Sequence, residues 1–229
     1  MLTLNGFVKG EVTNYKQWTD NEFSITVKAD IGPYVAGQFT KLALQDENGE
    51  WLRRAYSFVN SPNHALGRQC MEFLIIDVPN GGLSPKLAKV NIGDDIYVGD
   101  KPSGFMTLAE IPTNATNLWL LSTGTAIGPF LSILGESETQ QRFEKIILVH
   151  AVRTKQELVY QALIEKLLHQ YNGKLLYLPI VSREQHPGIM SGRIPQLLKD
   201  SSLMNAVKIS PNKQNSFFYL CGNPAMVHD

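Results

Sequence analysis

A tetrapeptide in the first half of the chain, Arg54-Ala55-Tyr56-Ser57, combines residue types that suit a flat, anionic ligand. Successive side chains on a strand point to opposite faces, so Arg54 and Tyr56 would share one face while Ala55 and Ser57 share the other. A cation, an aromatic ring and a hydroxyl on one short strand could hold a ring system and a phosphate. Taken alone, the same pattern is equally compatible with a strand at a solvent edge.

A second motif, Gly81-Gly82-Leu83-Ser84, runs directly into Pro85. Ser before Pro is a common helix start. Free backbone N–H groups and the positive end of the helix dipole favour a phosphate at such a position. Alone, this motif is more often a plain turn with a helix cap. Because both motifs lie in the same half of the chain, together they indicate one ring site and two phosphate sites, which describe a flavin dinucleotide.

A glycine-containing segment, Ser122-Thr123-Gly124-Thr125-Ala126-Ile127-Gly128-Pro129, joins a predicted strand to a predicted helix. It is not the three-glycine dinucleotide fingerprint, because three residues separate Gly124 from Gly128. Gly124 still permits close approach of the backbone to a ligand, and the following helix start favours a pyrophosphate or lets a nicotinamide ring lie against the segment.

Three arginines and a serine follow predicted strands of the second half, at Arg153, Ser182-Arg183 and Arg193. Ligands of open α/β sheets bind at the carboxyl ends of the strands. No acidic residue occupies the position that would accept a ribose hydroxyl. Guanidinium groups suit bidentate contacts to phosphate, so the set predicts a site for a 2′-phosphate. Solvated loop charges are the alternative.

Cys221 ends the last predicted strand, immediately before Gly222-Asn223-Pro224. A buried cysteine is usually inert packing. The same edge of the sheet should carry a nicotinamide ring, so a small polarizable side chain that touches the ring is the functional alternative.

Short strands separated by turns must position the first two motifs. The sequence predicts strands over residues 7–15, 22–28, 38–44, 51–59, 71–78 and 95–98, which are rich in Val, Ile, Phe, Tyr and Thr. One helix, over residues 84–90, interrupts them. Six short strands with a single helix indicate a small antiparallel barrel.

The second half alternates apolar strands with helices. Strands are predicted over residues 118–122, 146–150, 175–181 and 217–221, and helices over 127–134, 156–171 and 193–199. This order is typical of a parallel sheet with crossover helices, and continuous apolar strands are typical of burial on both faces. The stretch 101–117 is predicted to connect the two halves.

Composition excludes several classes of protein. The chain of 229 residues has 21 basic and 21 acidic residues, so no global field recruits nucleic acid or an anionic membrane. Its two cysteines and five histidines lack ligand spacing, so neither a disulfide framework nor a metal site is expected. No segment approaches the ~18 apolar residues of a membrane span, and the start of the chain lacks a signal-peptide pattern. We expect a cytoplasmic protein.

The ordered motifs resemble those of bacterial-type ferredoxin/flavodoxin–NADP reductases over essentially the whole chain. The segments that carry the resemblance are Gly37-Gln38-Phe39, Arg54-Ala55-Tyr56-Ser57, Val59-Asn60-Ser61-Pro62, Gly81-Gly82-Leu83-Ser84-Pro85, Gly124-Thr125-Ala126-Ile127-Gly128-Pro129, Val181-Ser182-Arg183 and Cys221-Gly222-Asn223-Pro224. The resemblance implies two domains. An antiparallel Greek-key β-barrel over residues 1–105 would bind FAD, and a parallel-sheet α/β domain over residues 115–229 would bind NADP.

The resemblance also implies roles for individual residues. Arg54 would pair with the flavin pyrophosphate, Tyr56 would pack on the isoalloxazine, and Ser57 would lie near its N5 atom. The implied FAD contacts are Arg54, Ala55, Tyr56, Ser57, Phe73, Leu74, Ile75, Gly82, Leu83, Ser84 and Thr125. The implied NADP contacts are Val152, Arg153, Ser182, Arg183 and Arg193. The residues expected at the reacting rings are Tyr56, Ser57, Thr125 and Cys221.

The activity implied by the resemblance is hydride transfer from NADPH to FAD, followed by single-electron transfer to flavodoxin or ferredoxin. A monomer is expected. The electron carriers of this family are acidic, so four basic residues could form a docking patch for them. The alternative is that these residues are solvated surface charges. They are Lys86, Lys89, Lys101 and Arg153. Two alternatives stay open. One is a reductase of free flavins, quinones or an oxygenase, and the other is a non-catalytic flavoprotein subunit that transfers electrons within a complex.

The end of the chain departs from the family pattern. Members of the family continue beyond the Cys-Gly-Asn-Pro turn with a helix and an aromatic tail over the flavin, whereas this sequence stops at Asp229. Pro224 is suited to the first turn of a helix. Five further residues are too few for a stable helix, since isolated helices below ~12 residues are marginal. We expect the native chain to carry roughly 20 to 30 more residues, enough for one capping helix and a tail.

Overall fold

An antiparallel sheet of six strands forms the first half of the fold, in the order β4-β3-β6-β1-β2-β5. The computed structural model describes residues 4–224 and residue 226. The strands of this sheet are β1 (Phe7–Gln17), β2 (Glu22–Lys28), β3 (Phe39–Gln45), β4 (Trp51–Ser57), β5 (Cys70–Ile76) and β6 (Asp95–Gly99). Phe58 and Phe73 form an antiparallel bridge that joins the end of β4 to β5. This bridge closes the sheet into a barrel, and the order of its strands is of the Greek-key type.

Alternate side chains of the paired strands β2 and β5 point into the barrel and fill its core. Phe23 and Ile25 of β2 lie opposite Ile75 and Phe73 of β5, and all four are buried in one apolar cluster. The residues between them, such as Ser24 and Leu74, therefore point outward. The predicted barrel is confirmed, and each of its strands lies within a few residues of its predicted position.

The helix of the barrel half, α1 (Ser84–Leu87), is shorter than predicted. The prediction extended it to Val90, but Ala88 already caps it, and Asn91 to Asp94 form a turn. Val90 is β-branched, and the Asn-Ile-Gly-Asp sequence that follows favours a turn over a helix.

The second half is a five-stranded parallel sheet in the order β10-β9-β8-β7-β11. Its strands are β7 (Asn117–Thr123), β8 (Lys145–Val152), β9 (Leu175–Val181), β10 (Met190–Ser191) and β11 (Ser216–Cys221). Its helices are α2 (Ile127–Leu134), α3 (Ser137–Arg142), α4 (Gln161–Gln170), α5 (Ile194–Lys199) and α6 (Ser202–Val207). In the order of the sheet, β8 and β9 follow one another on one side of β7, whereas β11 lies on the other side of β7. The carboxyl ends of the paired strands β7 and β11 are therefore the topological switch point, where ligands of such sheets bind.

The predicted parallel sheet is confirmed, with differences in three helices and one short strand. The predicted helix over 156–171 begins only at Gln161, because Lys155–Glu157 form a 3₁₀ turn and Tyr160 has a φ of 60°. The short helices α3 and α6 and the two-residue strand β10 were not predicted, since segments this short carry little periodicity. The helix predicted to start at Pro224 runs into residue 225 and residues 227–229, which lie outside the described residues.

Hydrogen bonds and apolar contacts join the two halves. Ser132 of α2 donates to the Asn60 carbonyl over 2.9 Å, and Tyr160 donates to the Glu72 carboxylate over 2.6 Å. Val59 and Leu74 of the barrel belong to the same buried cluster as α2 and α4. The interface between the domains is thus packed like a core. Within the described part of the chain, no helix is both long and apolar enough to cross a membrane.

Candidate functional site

A cleft of about 850 Å³ lies between the barrel and the carboxyl ends of the parallel strands. The barrel contributes β4, β5 and the start of β2, and the sheet contributes the residues that follow β7, β8, β9, β10 and β11. Eleven of the predicted site residues line this one cleft: Ala55, Tyr56, Ser57, Leu74, Thr125, Val152, Arg153, Ser182, Arg183, Arg193 and Cys221. Residues up to 166 positions apart in the chain are therefore brought to one cavity, from Ala55 to Cys221.

The barrel wall of the cleft is apolar with a polar strip along β4. Leu74, Ile76 and Val78 form the apolar part, and Ile76 and Val78 are among the exposed large hydrophobic residues. Tyr56 and Ser57 supply the polar groups. Burial raises the pKa of Tyr56 to about 12, so the phenol is neutral at physiological pH. A neutral aromatic ring beside exposed aliphatic side chains suits stacking against a planar ligand.

Two predicted phosphate contacts lie beside the cleft and not in its lining. Arg54 is exposed, and its Nη1 donates to the carbonyl of Arg53 over 2.7 Å. Gly82 lies next to Leu52, the β4 residue two positions before Arg54. Both are therefore near the β4 end of the barrel wall. A ligand that reached them would extend beyond the cavity.

The turn before α1 is connected to the cleft wall through Val78. The Ser84 Oγ accepts the backbone N–H of Val78 over 3.1 Å, so this hydroxyl already has a protein partner. Leu83 is buried in the barrel core. The N–H groups of Gly82 and Leu83 donate to no other residue in the described range. The N–H groups of Gly82 and Leu83 are what this turn offers to a ligand, together with the Ser84 O–H, which the contact to Val78 leaves available to donate.

Phe73 and Ile75, two of the residues that the resemblance implies as FAD contacts, do not line the cleft with their side chains. Both are buried in the barrel interior, where Phe73 packs on Phe58. The alternation along β5 gives the reason, because Leu74 and Ile76 point outward and line the cleft instead. Only the backbone of Phe73 and Ile75 remains on that side.

The carboxyl end of β7 forms the floor of the cleft at the switch point. Gly124 has a φ of 55° and open space where a Cβ would lie. The segment after it turns at once into a 3₁₀ turn and α2, so the predicted loop is a direct strand-to-helix transition. Thr125 lies in this turn and lines the cleft. Open space above a glycine backbone allows a ligand to approach closely.

His150 lies beneath this turn on β8. Its side chain is fully buried, and its Nε2 lies 3.2 Å from the Gly124 carbonyl. Burial lowers the pKa of His150 to about 4, so the ring is neutral and its Nε2–H donates to that carbonyl. The Nδ1 atom has no partner among the described residues. The five histidines lack ligand spacing in the sequence, and the structure gives this one a contact to the cleft floor.

The end of β11 lies against the end of β7. The Thr123 Oγ1 accepts the backbone N–H of Asn223 over 3.0 Å. Gly222 has a φ of 149°, and a Cβ on it would lie 1.9 Å from the Thr123 Oγ1. Cys221 is partly buried next to this contact, and burial raises the pKa of its thiol. Cys221 therefore presents a neutral thiol to the cleft.

The three predicted arginines share one end of the cleft. Arg153, Arg183 and Arg193 have no ion-pair partner among residues 4–224 and 226. Ser182 lies beside them, with its hydroxyl donating to the Val152 carbonyl over 3.1 Å. Unpaired guanidinium groups around a cavity suit an anionic ligand.

One acidic residue, Glu184, follows Arg183 directly. Its carboxylate accepts the Lys155 N–H over 2.8 Å and lies 2.8 Å from the His186 Nε2. These contacts lower the pKa of Glu184. The carboxylate is thus occupied by the protein itself.

Sequence relatives agree with this geometry. The profile of the oxidoreductase NAD-binding domain matches residues 120–229. A flavodoxin/ferredoxin–NADP reductase of Escherichia coli (strain K12) is 45% identical over 223 residues, which cover 97% of this chain and 88% of the relative. A protein of the same name from Shigella flexneri is 46% identical with the same coverage. The chain belongs to the flavodoxin/ferredoxin–NADP reductase family.

A solved structure of this reductase family shares the fold along almost its whole length. The ferredoxin NADP⁺ reductase of Neisseria gonorrhoeae, solved with bound FAD and NADP, superposes with a TM-score of 0.87 and 29% identity. The match covers 98% of this chain and 89% of that one. The predicted enzyme class and fold are confirmed.

The cleft of this reductase fits both nucleotides. Aromatic and aliphatic side chains on the barrel suit a flavin ring, and the Gly82 turn adds free N–H donors at the far end of the wall. The open space at Gly124 lets a second ring approach the floor, while the unpaired arginines suit the phosphates of NADP. FAD and NADP are therefore the ligands that the residues present can hold.

Two acidic residues of this cleft were missed by the sequence prediction. Glu22 at the start of β2 and Glu157 after β8 both line it, from opposite domains. Glu22 is only 3% exposed, and burial together with the Glu157 charge raises its pKa to about 7. Alternation along β2 could have shown that Glu22 faces outward. Only the docking of the two domains buries it.

Proposed function

We propose that this protein transfers electrons from NADPH, through bound FAD, to flavodoxin or ferredoxin. The observation that carries the proposal is the meeting, in one cleft, of Tyr56 and Ser57 on the barrel with Thr125 and Cys221 on the sheet edge. When bound, FAD supplies the ability to take a pair of electrons from a nicotinamide and release them singly. The protein's part is to hold two rings together at this place.

The residues of the cleft divide that task between the domains. Tyr56 and the aliphatic side chains of β5 orient the flavin ring on the barrel, and Ser57 offers a hydroxyl at its edge. Thr125 and the Gly124 turn support the nicotinamide from the sheet side. The neutral states of Tyr56 and Cys221 leave no charge that would disturb stacked rings. Apolar walls exclude water, so proximity and desolvation account for the catalysis.

Arg183 and Arg193 are proposed to set the preference for NADP over NAD. They are unpaired in the described chain, and Glu184 is engaged by Lys155 and His186 and so does not compete for a ribose hydroxyl. An Arg183→Ala, Arg193→Ala double variant should lose kcat/KM for NADPH by at least about tenfold, the scale of one charged hydrogen bond. The efficiency with NADH should change little. Equal losses with both nucleotides would assign these arginines a structural role.

Anaerobic titration of the purified protein with NADPH tests the proposed function. The flavin absorbance band should bleach with one equivalent of NADPH and return when oxidised flavodoxin or ferredoxin is added. No bleaching at any NADPH concentration would favour a subunit that binds no nicotinamide. Bleaching without reoxidation by either carrier, but with reoxidation by free flavin or quinone, would favour that class of acceptor instead.

We also propose that the bound flavin is FAD and that the protein is a monomer located in the cytoplasm. The flavin released by heat should be FAD, since the Arg54 and Gly82 positions offer more phosphate contacts than a mononucleotide needs. Sedimentation should give a monomer, and cell fractionation should place the protein in the cytoplasm. In the basic docking patch, Lys86 is already ion-paired with Glu47, so Lys89, Lys101 and Arg153 are the charges left for an acidic carrier.

A further inference from the structure

A carboxyl group without a partner lies in the wall of the nucleotide cleft. Glu22 is 3% exposed and lines the cleft. Among residues 4–224 and 226, no side chain or backbone group hydrogen-bonds to its carboxyl oxygens, and no cation forms an ion pair with them. A buried charge without a partner is costly, so the group has a reason to be neutral or to meet a ligand.

The position of Glu22 on β2 directs it toward the cleft and not toward the barrel core. Phe23 and Ile25 point into the barrel, so Glu22 and Ser24 point outward. Glu22 pairs with Ile76 of β5, which lines the same cleft. Apolar Leu74 and Ile76 thus flank the carboxyl on its own domain.

The second domain closes over Glu22 with titratable groups of its own. Glu157 lies in the 3₁₀ turn after β8, and its carboxylate accepts the Thr154 hydroxyl over 3.1 Å. Arg153 lines the cleft beside it, and Tyr160 donates to Glu72 on the barrel over 2.6 Å. The charged groups on these elements are Glu157, Lys155 and Arg153 of the second domain, and Glu72, which accepts from Tyr160. The Glu157 carboxylate opposes a negative charge on Glu22.

Glu22 lines the same cleft as the unpaired arginines, and Glu157, whose charge acts on Glu22, accepts the Arg153 backbone N–H over 3.3 Å. An anionic nucleotide bound there would bring its pyrophosphate charge into the same desolvated space. A neutral carboxyl can donate a hydrogen bond to a phosphate or ribose oxygen, whereas a carboxylate can only accept and repels the anion. The neutral acid would therefore favour binding of the nucleotide, and the carboxylate would oppose it.

We infer that Glu22 determines the affinity for NADP(H) through its protonation, binding of the nucleotide being favoured by the neutral acid and opposed by the carboxylate. This inference rests on the proposed function, because it takes NADP(H) as the ligand of the arginine end. It predicts that nucleotide binding is accompanied by proton uptake at Glu22. The pKa of Glu22, raised to about 7 by burial and by Glu157, places the change within the physiological range.

Calorimetric titration of the flavin-loaded protein with NADP⁺ tests this inference. In buffers of different ionisation enthalpy at about pH 7.5, natural protein should take up roughly half a proton more per nucleotide than Glu22→Gln, since Glu22 is largely ionised before binding and largely neutral after it. The dissociation constant of the natural protein should rise roughly three- to tenfold between about pH 6.5 and about pH 8.5 relative to that of Glu22→Gln. Proton uptake is a binding readout that does not depend on turnover.

Three controls separate Glu22 from other titrations. Glu11→Gln removes an exposed carboxylate of β1 that does not line the cleft and should behave as the natural protein. Glu22→Leu should also abolish the pH dependence, because it too removes the charge, but should bind less tightly than Glu22→Gln at low pH. NAD⁺, which lacks the 2′-phosphate, should retain the difference between natural protein and Glu22→Gln.

The outcomes distinguish this inference from the function on which it rests. Equal proton uptake and parallel pH profiles in natural protein and Glu22→Gln, with NADPH still bleaching the flavin, would overturn the role of Glu22 and leave the proposed function intact. If NADPH bleaches the flavin neither in the natural protein nor in the variants, the proposed function itself is overturned.

Discussion

Replacing Glu22 with Gln should make the protein more stable at alkaline pH than the natural protein, independently of any nucleotide. The pKa of Glu22 is raised from 4.5 to about 7 by burial and by the Glu157 charge. One unit of pKa difference corresponds to about 1.4 kcal/mol, so ionised Glu22 costs about 3 kcal/mol of folding free energy. That cost is a large share of the roughly 5–15 kcal/mol that stabilises a typical domain.

The sign of the pH dependence is opposite to that of an ion-paired carboxylate. Between about pH 4.5 and about pH 7 the folded state binds more protons at Glu22 than the unfolded state, so the contribution of Glu22 to stability falls as the pH rises through this window. Below the window the contribution is fully favourable, and above it the loss is complete. Gln has nearly the same shape and no charge, so the variant should lack this slope.

Urea unfolding of the flavin-loaded protein at about pH 5 and about pH 8 measures the effect. At the lower pH, near the start of the window, Glu22→Gln should be more stable than natural protein by less than about 1 kcal/mol. At the higher pH the variant should be more stable by about 3 kcal/mol. Glu11→Gln serves as the matched control, because its carboxylate is exposed. If the stabilities of natural protein and Glu22→Gln change in parallel between the two pH values, the carboxyl is ionised in the folded state without penalty, and the reasoning is refuted.

Three further substitutions test other contacts of the cleft and the interface. Tyr160→Phe removes the 2.6 Å hydrogen bond to the Glu72 carboxylate and should lower the free energy of unfolding by about 1.5–3 kcal/mol; a urea midpoint equal to that of the natural protein would contradict this. Gly222→Ala places a Cβ 1.9 Å from the Thr123 Oγ1 and should slow flavin reduction by NADPH in a stopped-flow experiment while FAD stays bound. Arg54→Ala should weaken FAD binding by about 1.5–3 kcal/mol, the scale of a charged hydrogen bond, and unchanged affinity in a fluorescence titration would exclude a phosphate contact at this residue.

The local pattern of apolar and polar residues was sufficient to predict most strands and helices of the fold. The six strands of the barrel and the long strands of the parallel sheet alternate or run apolar over enough residues to be recognised. The helix α2 coincides with its prediction because eight successive residues, Ile127–Leu134, are all buried. The start of α4 was placed too early, because the positive φ of Tyr160 depends on its packing against Trp18 and its bond to Glu72, contacts that no local pattern contains.

For the site, the sequence predicted residue types better than side-chain directions. Motifs at strand ends, such as Thr125 and Ser182-Arg183, reach the cleft because the fold brings all strand ends to one edge. The side chains of Phe73 and Ile75 lie in the barrel core because a family resemblance names a segment, while alternation decides which of its side chains face the cleft. A one-residue shift exchanges the two faces of a strand, and here Leu74 and Ile76 are on the cleft side.

The residues that no motif predicted owe their role to the docking of two domains. Glu22 would be an ordinary solvated acid on an isolated barrel, because its strand presents it on the outer face next to Ser24. The segment from Glu157 to Tyr160 covers that face, removes the water and supplies a second negative charge. The Glu22 carboxyl, which would be solvated on the isolated barrel, thus titrates near neutral pH once the second domain packs against it. If this view is right, Tyr160→Phe, which loosens the contact between the domains, should also move the stability slope of Glu22 toward lower pH.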